Sequence, residues 1–387
     1  MKYRLIVFLL SSVIGYFSQG LLYQSGLINQ VFLTIILSIN LFYWIKVLLL
    51  KKKDYLITIV SLFLFINIIW LCINLYIKDD NQQSIYVFKI IFLCLSSIFP
   101  FYYLGINGID IKPIFNIFFI LFFILSCLFF HYYQRIASEE RNIVNFVNNY
   151  GYNFVLLLPL LLLLNKKTVI NIGFILIIIF YTILSAKRGA LISLICGIIV
   201  YVLYQYKELN LPNTKMRRFF IIVIIFLFMG FLSFCIKNNE FFMFRWENIS
   251  NNTSNRDVIL ESLYNFWVVN YNVISLIFGF GLSGTIYFCG NFAHNDFIEV
   301  IFDYGILGFI FYISILCILF CKVIHRNVSY SIKYSLLSTL IIWLSKGMTT
   351  GVITGDSSLL LTIVIGYSYG LHNHIIKMQK ISQTHYK

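Results

Sequence analysis

Along this chain, long apolar runs alternate with short polar stretches from the first residues to the last. Runs of about 18 or more apolar residues recur, the length a helix needs to cross a hydrocarbon core. Twelve candidate spans follow, at 4–23, 27–48, 55–77, 85–104, 114–131, 150–164, 168–184, 189–206, 218–236, 297–321, 334–353 and 357–376. The expected fold is all-α, a polytopic integral membrane protein whose residues 1–387 form a single transmembrane domain. The Met1–Arg4 start leads into about 20 apolar residues, longer than a signal-peptide core. With no small-x-small cleavage site behind it, this segment is expected to stay as the first span.

The sixth span is short and contains Pro159, so its existence is tested by charge. Short inner loops collect Lys and Arg. With twelve spans and both termini cytoplasmic, 19 of the 29 Lys and Arg fall inside. Deleting the sixth span flips every later loop and leaves only 13 of the 29 inside, the wrong sign. The sixth span is kept. Residues 237–296, between spans nine and ten, then form one large outward loop, and loops of such length are usually functional. Within it Ile259, Leu263, Phe266, Trp267 and Asn270 make a helical stripe. An amphipathic helix over about 256–270 is expected, with Ser254 as N-cap.

Composition narrows the class. The chain is 60% hydrophobic and 11% charged, with mean hydropathy +0.86, too few charges to coat a soluble domain of this length. The net charge of +14 sits largely in loops between apolar runs, so it reports topology and no nucleic-acid partner is expected. Seven of the eight cysteines lie in or beside apolar segments and read as small buried hydrophobes. No zinc-ligand spacing occurs, and none of the loops contains a Walker A sequence. Gly279, Gly281 and Gly284 match G-x-G-x-x-G, but no βαβ unit can surround them, so they read as a glycine turn.

The candidate chemistry lies on the outward side. Lys187 and Arg188 occupy a very short outer turn, Ser185–Gly189, against the positive-inside trend. Snorkelling to headgroups is the plain account of such a pair. An anion site is the alternative, because the next helix presents its free N–H groups and positive pole beside Arg188. Arg256 stands at the start of the amphipathic helix. His294 precedes the tenth span, where an imidazole can act as a base near neutral pH. Asp296 and Glu299 match a capping box. With Asp303 they also share one helix face entering the membrane, where carboxylates are costly and mark functional sites.

These residues carry a family resemblance. Ser185-Ala186-Lys187-Arg188-Gly189-Ala190 resembles the S-x-R-G-A turn of the O-antigen polymerase and O-antigen ligase superfamily of bacterial envelope proteins. Arg256 with Gly279-Phe280-Gly281 resembles that family's arginine-then-G-x-G stretch. His294-Asn295, followed by Tyr304-Gly305-Ile306-Leu307-Gly308, resembles its H-N-…-G-I-x-G signature. The resemblance covers approximately residues 170–325, with Lys187 a minor departure; residues 1–165 match only in hydropathy.

The resemblance implies polymerisation of undecaprenyl-diphosphate-linked oligosaccharide repeats at the outer face of the bacterial cytoplasmic membrane, without cofactor or metal. It implies Arg188 and Arg256 on the diphosphate and His294 activating the acceptor hydroxyl, with Glu299 or Asp303 sharing the base role. Lys187, Asn295 and Arg245 are supporting substrate-binding candidates. The lipid bilayer, a flippase and a chain-length regulator of the same pathway are the implied partners. Two alternatives stay open: a ligase transferring the glycan to the lipid A core, and a lipid-linked oligosaccharide flippase. The flippase expects charges along a central cavity, whereas the mid-span charges here are chiefly Asp303 and Lys346.

Overall fold

The structure is a computed structural model that describes residues 2–18, 26–50, 54–77, 81–139, 147–164, 168–208, 214–247, 256–325, 328–353 and 355–385. Among these residues the regular structure is entirely helical. Eight helices are long and apolar enough to cross a membrane, spanning 26–48, 55–76, 82–106, 112–136, 188–208, 214–237, 296–324 and 356–383. The chain is therefore a polytopic membrane protein. The other four expected spans also fall on helices. Three of these are shorter apolar helices, Tyr3–Ser18, Gly151–Leu164 and Thr168–Leu184. The fourth, Tyr330–Thr349, has the length but carries Ser335, Ser338, Thr339 and Lys346 on its buried side.

The centre of the bundle is built on close helix contact. The two most buried candidate spans are 82–106 and 356–383. They meet where Gly366 and Gly370, one helical turn apart, lie on the backbone of Ile98 and Tyr102. A Cβ at Gly105 would stand 2.5 Å from the Tyr367 carbonyl oxygen. Small residues of this kind let helices approach in a bilayer, where apolar burial alone gives no drive for association. By contrast the 214–237 helix is mostly exposed, with Phe219, Phe226, Met229 and Phe234 on its surface. Cys72, Cys317 and Cys321 are likewise exposed on their helices, contrary to the expectation that they are buried; all eight cysteines are free. In a lipid solvent an apolar side chain has no need to face inward, which explains the difference.

Two helical segments are interrupted where neighbouring segments hydrogen-bond to their backbone. The sixth segment divides into Gly151–Val155 and Leu158–Leu164, and Ser335 Oγ donates to the Pro159 carbonyl at 2.8 Å. The helix Asp296–Ile324 is broken at Gly305, whose φ of +64° and ψ of −163° are not helical. Here the glycine motif finds its explanation. Phe280 N–H donates to Phe302 O and Gly281 N–H to Asp303 O, each at 2.9 Å. A Cβ at Gly305 would lie 2.5 Å from the Ile277 carbonyl, and one at Gly279 would meet the backbone of Asp303. Gly279 and Gly305 therefore allow two backbones to touch at a helix break, while Gly281 lies against the Trp70 and Asn74 side chains.

A helix is present at Arg256–Asn270, with Val258, Tyr264, Val268 and Val269 exposed on the side away from the stripe. Its stripe residues Ile259, Leu263, Phe266 and Trp267 pack with Ala293, Ile298 and Phe302. Asn270 departs from the stripe: it is exposed and its amide donates to Phe266 O. Ser254, the expected N-cap, lies outside the described residues.

Candidate functional site

Four segments meet at one end of the bundle. The first is the turn before the helix Arg188–Glu208. Ser185 Oγ donates to Thr182 O at 2.6 Å and accepts the Lys187 N–H at 3.3 Å, while Asn148 N–H donates to Ser185 O at 2.9 Å. These bonds hold Ala186 at φ +49°, a left-handed conformation unusual for a residue with a Cβ. Gly189 follows, where a Cβ would run into the Tyr152 hydroxyl and stand 2.7 Å from Thr349 Oγ1. Arg188 thus opens a helix that lies directly on Tyr152 and Thr349, themselves joined hydroxyl to hydroxyl at 3.0 Å.

The second and third segments bring Arg256 and His294. Arg256 opens its helix and is half-buried, with Nε buried and without a hydrogen-bond partner among the described residues. His294 has φ +55° and lies immediately before the helix cap. The expected capping box of Asp296 and Glu299 is replaced by a different arrangement. Asn295 is the N-cap, its Oδ1 accepting from Phe297 N–H at 3.0 Å and Ile298 N–H at 3.4 Å. Glu299 reaches back one residue further, accepting the His294 N–H at 2.9 Å. Asp296 points into the protein instead, because its neighbour Asn295 already serves the helix end. The fourth segment is the turn after Tyr330–Thr349, whose Thr350 backbone lies near enough to the His294 ring to favour its protonated form.

The charges of these groups act on one another. Burial first, then the charges of Arg256 and Lys187, push the His294 pKa below its ordinary 6.5, opposed by the Thr350 backbone. The imidazole is therefore neutral at pH 7 and can accept a proton. Arg256 is lowered by burial and by the charge of Arg188, while Tyr152 acts in the opposite direction. Arginine keeps its charge through such shifts. Lys187 and Arg256 thus lie within electrostatic reach of His294, and Arg188 within reach of Arg256, the two arginines each opening a helix. Such a group of cations can hold a diphosphate or another polyanion.

The remaining sequence candidates are placed differently. Asp303, nearly fully buried, accepts Thr285 N–H at 2.9 Å and so anchors the short helix Gly284–Cys289. Asn295 is a helix cap. Arg245 lies in the helix Glu240–Glu247, but its side chain is outside the described residues. Lys346 is buried, donating to Ser358 Oγ at 2.8 Å, with its ammonium 5.7 Å from the centre of the Tyr152 ring. Sequence reasoning did not find Tyr152 or Thr350. Tyr152 had no signal beyond opening a short apolar span, and Thr350 acts through its backbone, which no side-chain pattern reveals. No protein-family model and no curated protein sequence matches this chain.

Proposed function

We propose that the protein is a membrane glycosyltransferase that polymerises polyprenyl-diphosphate-linked oligosaccharide repeats on the outer face of the cytoplasmic membrane. The observation that carries this reading is that the charges of Lys187 and Arg256 reach a neutral His294, and that of Arg188 reaches Arg256, with Arg256 Nε buried and lacking a hydrogen-bond partner among the described residues. A diphosphate leaving group gains negative charge as its bond to the sugar breaks, and fixed cations at helix N-termini stabilise that charge without reorganising. The motif resemblance at 185–190, 256 and 294–308 supports the same chemistry.

In this mechanism the acceptor hydroxyl gives its proton to the free nitrogen of His294. Its oxygen bonds to the anomeric carbon of the donor glycan. The bond from that carbon to the diphosphate oxygen breaks, and the electron pair leaves on the polyprenyl diphosphate held by the arginines. Glu299 accepts the His294 backbone N–H, and Asp303 accepts the Thr285 N–H at the start of the 284–289 helix. The acceptor is a second lipid-linked repeat.

The test is reconstitution in liposomes with a synthetic polyprenyl-diphosphate oligosaccharide as both donor and acceptor, in the presence of EDTA. Longer lipid-linked glycans and released polyprenyl diphosphate are expected from the wild type, and neither from His294→Ala. Transfer only to added lipid A core would reassign the protein as a ligase. Normal chain growth by an Arg188→Ala, Arg256→Ala, His294→Ala triple variant would overturn the site.

A further inference from the structure

A cleft of about 450 Å³ opens between the first turn of the helix Gln82–Ser96 and the segment that leads to His294. Gln82, Gln83 and Tyr86 form one wall, Ile286 and Phe292 the other. The volume is that of a small-molecule site. Phe292 stands two residues before His294, so the reach of the chain keeps their Cα atoms within about 7 Å of each other.

Both walls are tied to each other behind the cleft. Asn74 Nδ2 donates to Leu282 O at 2.8 Å and to Ser84 Oγ at 3.1 Å, and Ser84 Oγ pairs with Ser283 Oγ at 3.0 Å. These three side chains are buried, so the bonds are shielded from water. They join the helix start that carries Gln82, Gln83 and Tyr86 to the residue just before the short helix Gly284–Cys289. That helix is held from other sides by the Asp303 carboxylate on Thr285 N–H and by Phe288 stacking on Phe266. Phe266 belongs to the helix that Arg256 opens. The 284–289 helix therefore links the cleft to the Arg256 helix.

The chemistry of the walls selects a ligand. A glutamine amide offers an acceptor oxygen and two donors, and a tyrosine hydroxyl both donates and accepts, which matches sugar hydroxyls that do both. Phe292 and Ile286 supply apolar surface for the C–H face of a pyranose ring. None of the five lining residues carries a charge; Lys89, one turn on, holds its ammonium 5.2 Å from the centre of the Tyr86 ring. The cleft shares its segment with His294, whereas Arg188 and Arg256 stand on other segments. We propose that this cleft binds an uncharged sugar residue of the acceptor glycan, with Gln82, Gln83 and Tyr86 on its hydroxyls and Phe292 against its ring. The inference rests on the reading of His294 as the acceptor-activating group. Seating the sugar there brings the acceptor hydroxyl to His294 from the side away from the donor diphosphate.

The first experiment is saturation-transfer NMR on the full chain in nanodiscs, with empty nanodiscs as blank. The probes are trisaccharides of neutral hexoses, N-acetylhexosamines and deoxyhexoses, with a uronic-acid trisaccharide as the anionic counterpart. At least one neutral probe is expected to bind the wild type, and the anionic one not. Gln83→Ala should weaken that binding about tenfold, the scale of a lost hydrogen-bonding side chain. Phe292→Ala should do the same; if it does not fold, the exposed Gln83 decides. No neutral probe bound, or binding unchanged in Gln83→Ala, overturns the inference. The second experiment separates acceptor from donor in liposomes, using as acceptor a C-glycoside analogue of the lipid-linked repeat, which has no leaving oxygen. Gln83→Ala is expected to raise the KM for the analogue about tenfold and to leave the KM for the donor unchanged. A rise in the donor KM alone would overturn the acceptor assignment. Sugar binding that Gln83→Ala abolishes, in a protein that transfers no glycan, keeps the cleft and overturns the proposed reaction instead.

Discussion

The backbone N–H of His294 donates to the Glu299 carboxylate at 2.9 Å while His294 itself holds a left-handed φ of +55°. A non-glycine residue in that region costs of order 1–3 kcal/mol and persists only where its surroundings hold it. Glu299 is one of the groups that hold it. Removing the acceptor with Glu299→Ala is expected to destabilise the protein by about 1–3 kcal/mol, because a buried N–H loses its partner. Glu299→Gln keeps an acceptor oxygen and should cost less than half as much. Thermal unfolding of the two variants in detergent checks the order; equal losses would mean the charge, not the hydrogen bond, matters.

The pH dependence follows from the sign of the His294 shift. Its pKa is lowered from 6.5 by burial, then by Arg256 and Lys187. The base is thus neutral down to a pH below 6.5, and the acid limb of the transfer rate is expected there. The same group contributes stability that is present above 6.5 and lost as pH falls through the folded value. Arg256→Gln removes one repelling charge, so the acid limb should move up toward 6.5 whatever happens to the maximum rate. A limb that stays in place would detach Arg256 from His294.

Arg188 and Arg256 are expected to act on the leaving group rather than on binding alone. Replacing either with Ala should cost on the order of 2–4 kcal/mol at the transition state, the scale of losing one oxyanion-hole donor. Lys should restore only part of this, because an ammonium cannot reproduce the planar fork of a guanidinium. Single-turnover rates at saturating donor are the relevant measurement. Full recovery by Lys at both positions would point to bulk charge.

The break at Gly305 gives a structural prediction. Gly305→Ala adds a Cβ 2.5 Å from Ile277 O at a φ of +64°, so both space and conformation oppose it. A loss of at least about 2 kcal/mol is expected. Gly173→Ala, in a helix with nothing within 4 Å of the new Cβ, should be neutral or slightly stabilising. Comparable unfolding midpoints for the two variants would contradict the packing of 277–281 on the helix break.

The charge asymmetry predicts sidedness. A cysteine placed at Asn251 should react with an impermeant thiol reagent added to intact cells, and one at Lys52 should react only after the membrane is opened. The reverse pattern would invert the topology on which the outward site depends.

The helices were legible in the sequence because a bilayer forces every backbone group to be satisfied within its own segment, so apolar length alone marks a span. The 256–270 stripe was legible for the related reason that one face had to pack, and Leu263 and Phe266 do. Lys187, Arg188, Arg256 and His294 stood out as charged or titratable residues in an apolar chain. Sequence patterns did not reveal how they meet. Lys187 and His294 are more than a hundred positions apart, and only the packed turns bring one charge to bear on the other. Asp296 looked like a helix cap by spacing, yet Asn295 takes the cap and Asp296 turns to Val352 and Ile353. That choice depends on two amides from a turn some 50 residues away, and no local propensity records them. The glycines at 279 and 281 looked like a flexible loop, and only the tertiary packing shows why they lack side chains: the Asp303–Tyr304 backbone lies on Gly279, and Trp70 and Asn74 lie on Gly281. Local chemistry selects segments and candidate groups; hydrogen bonds between distant backbones decide which of those groups face one another.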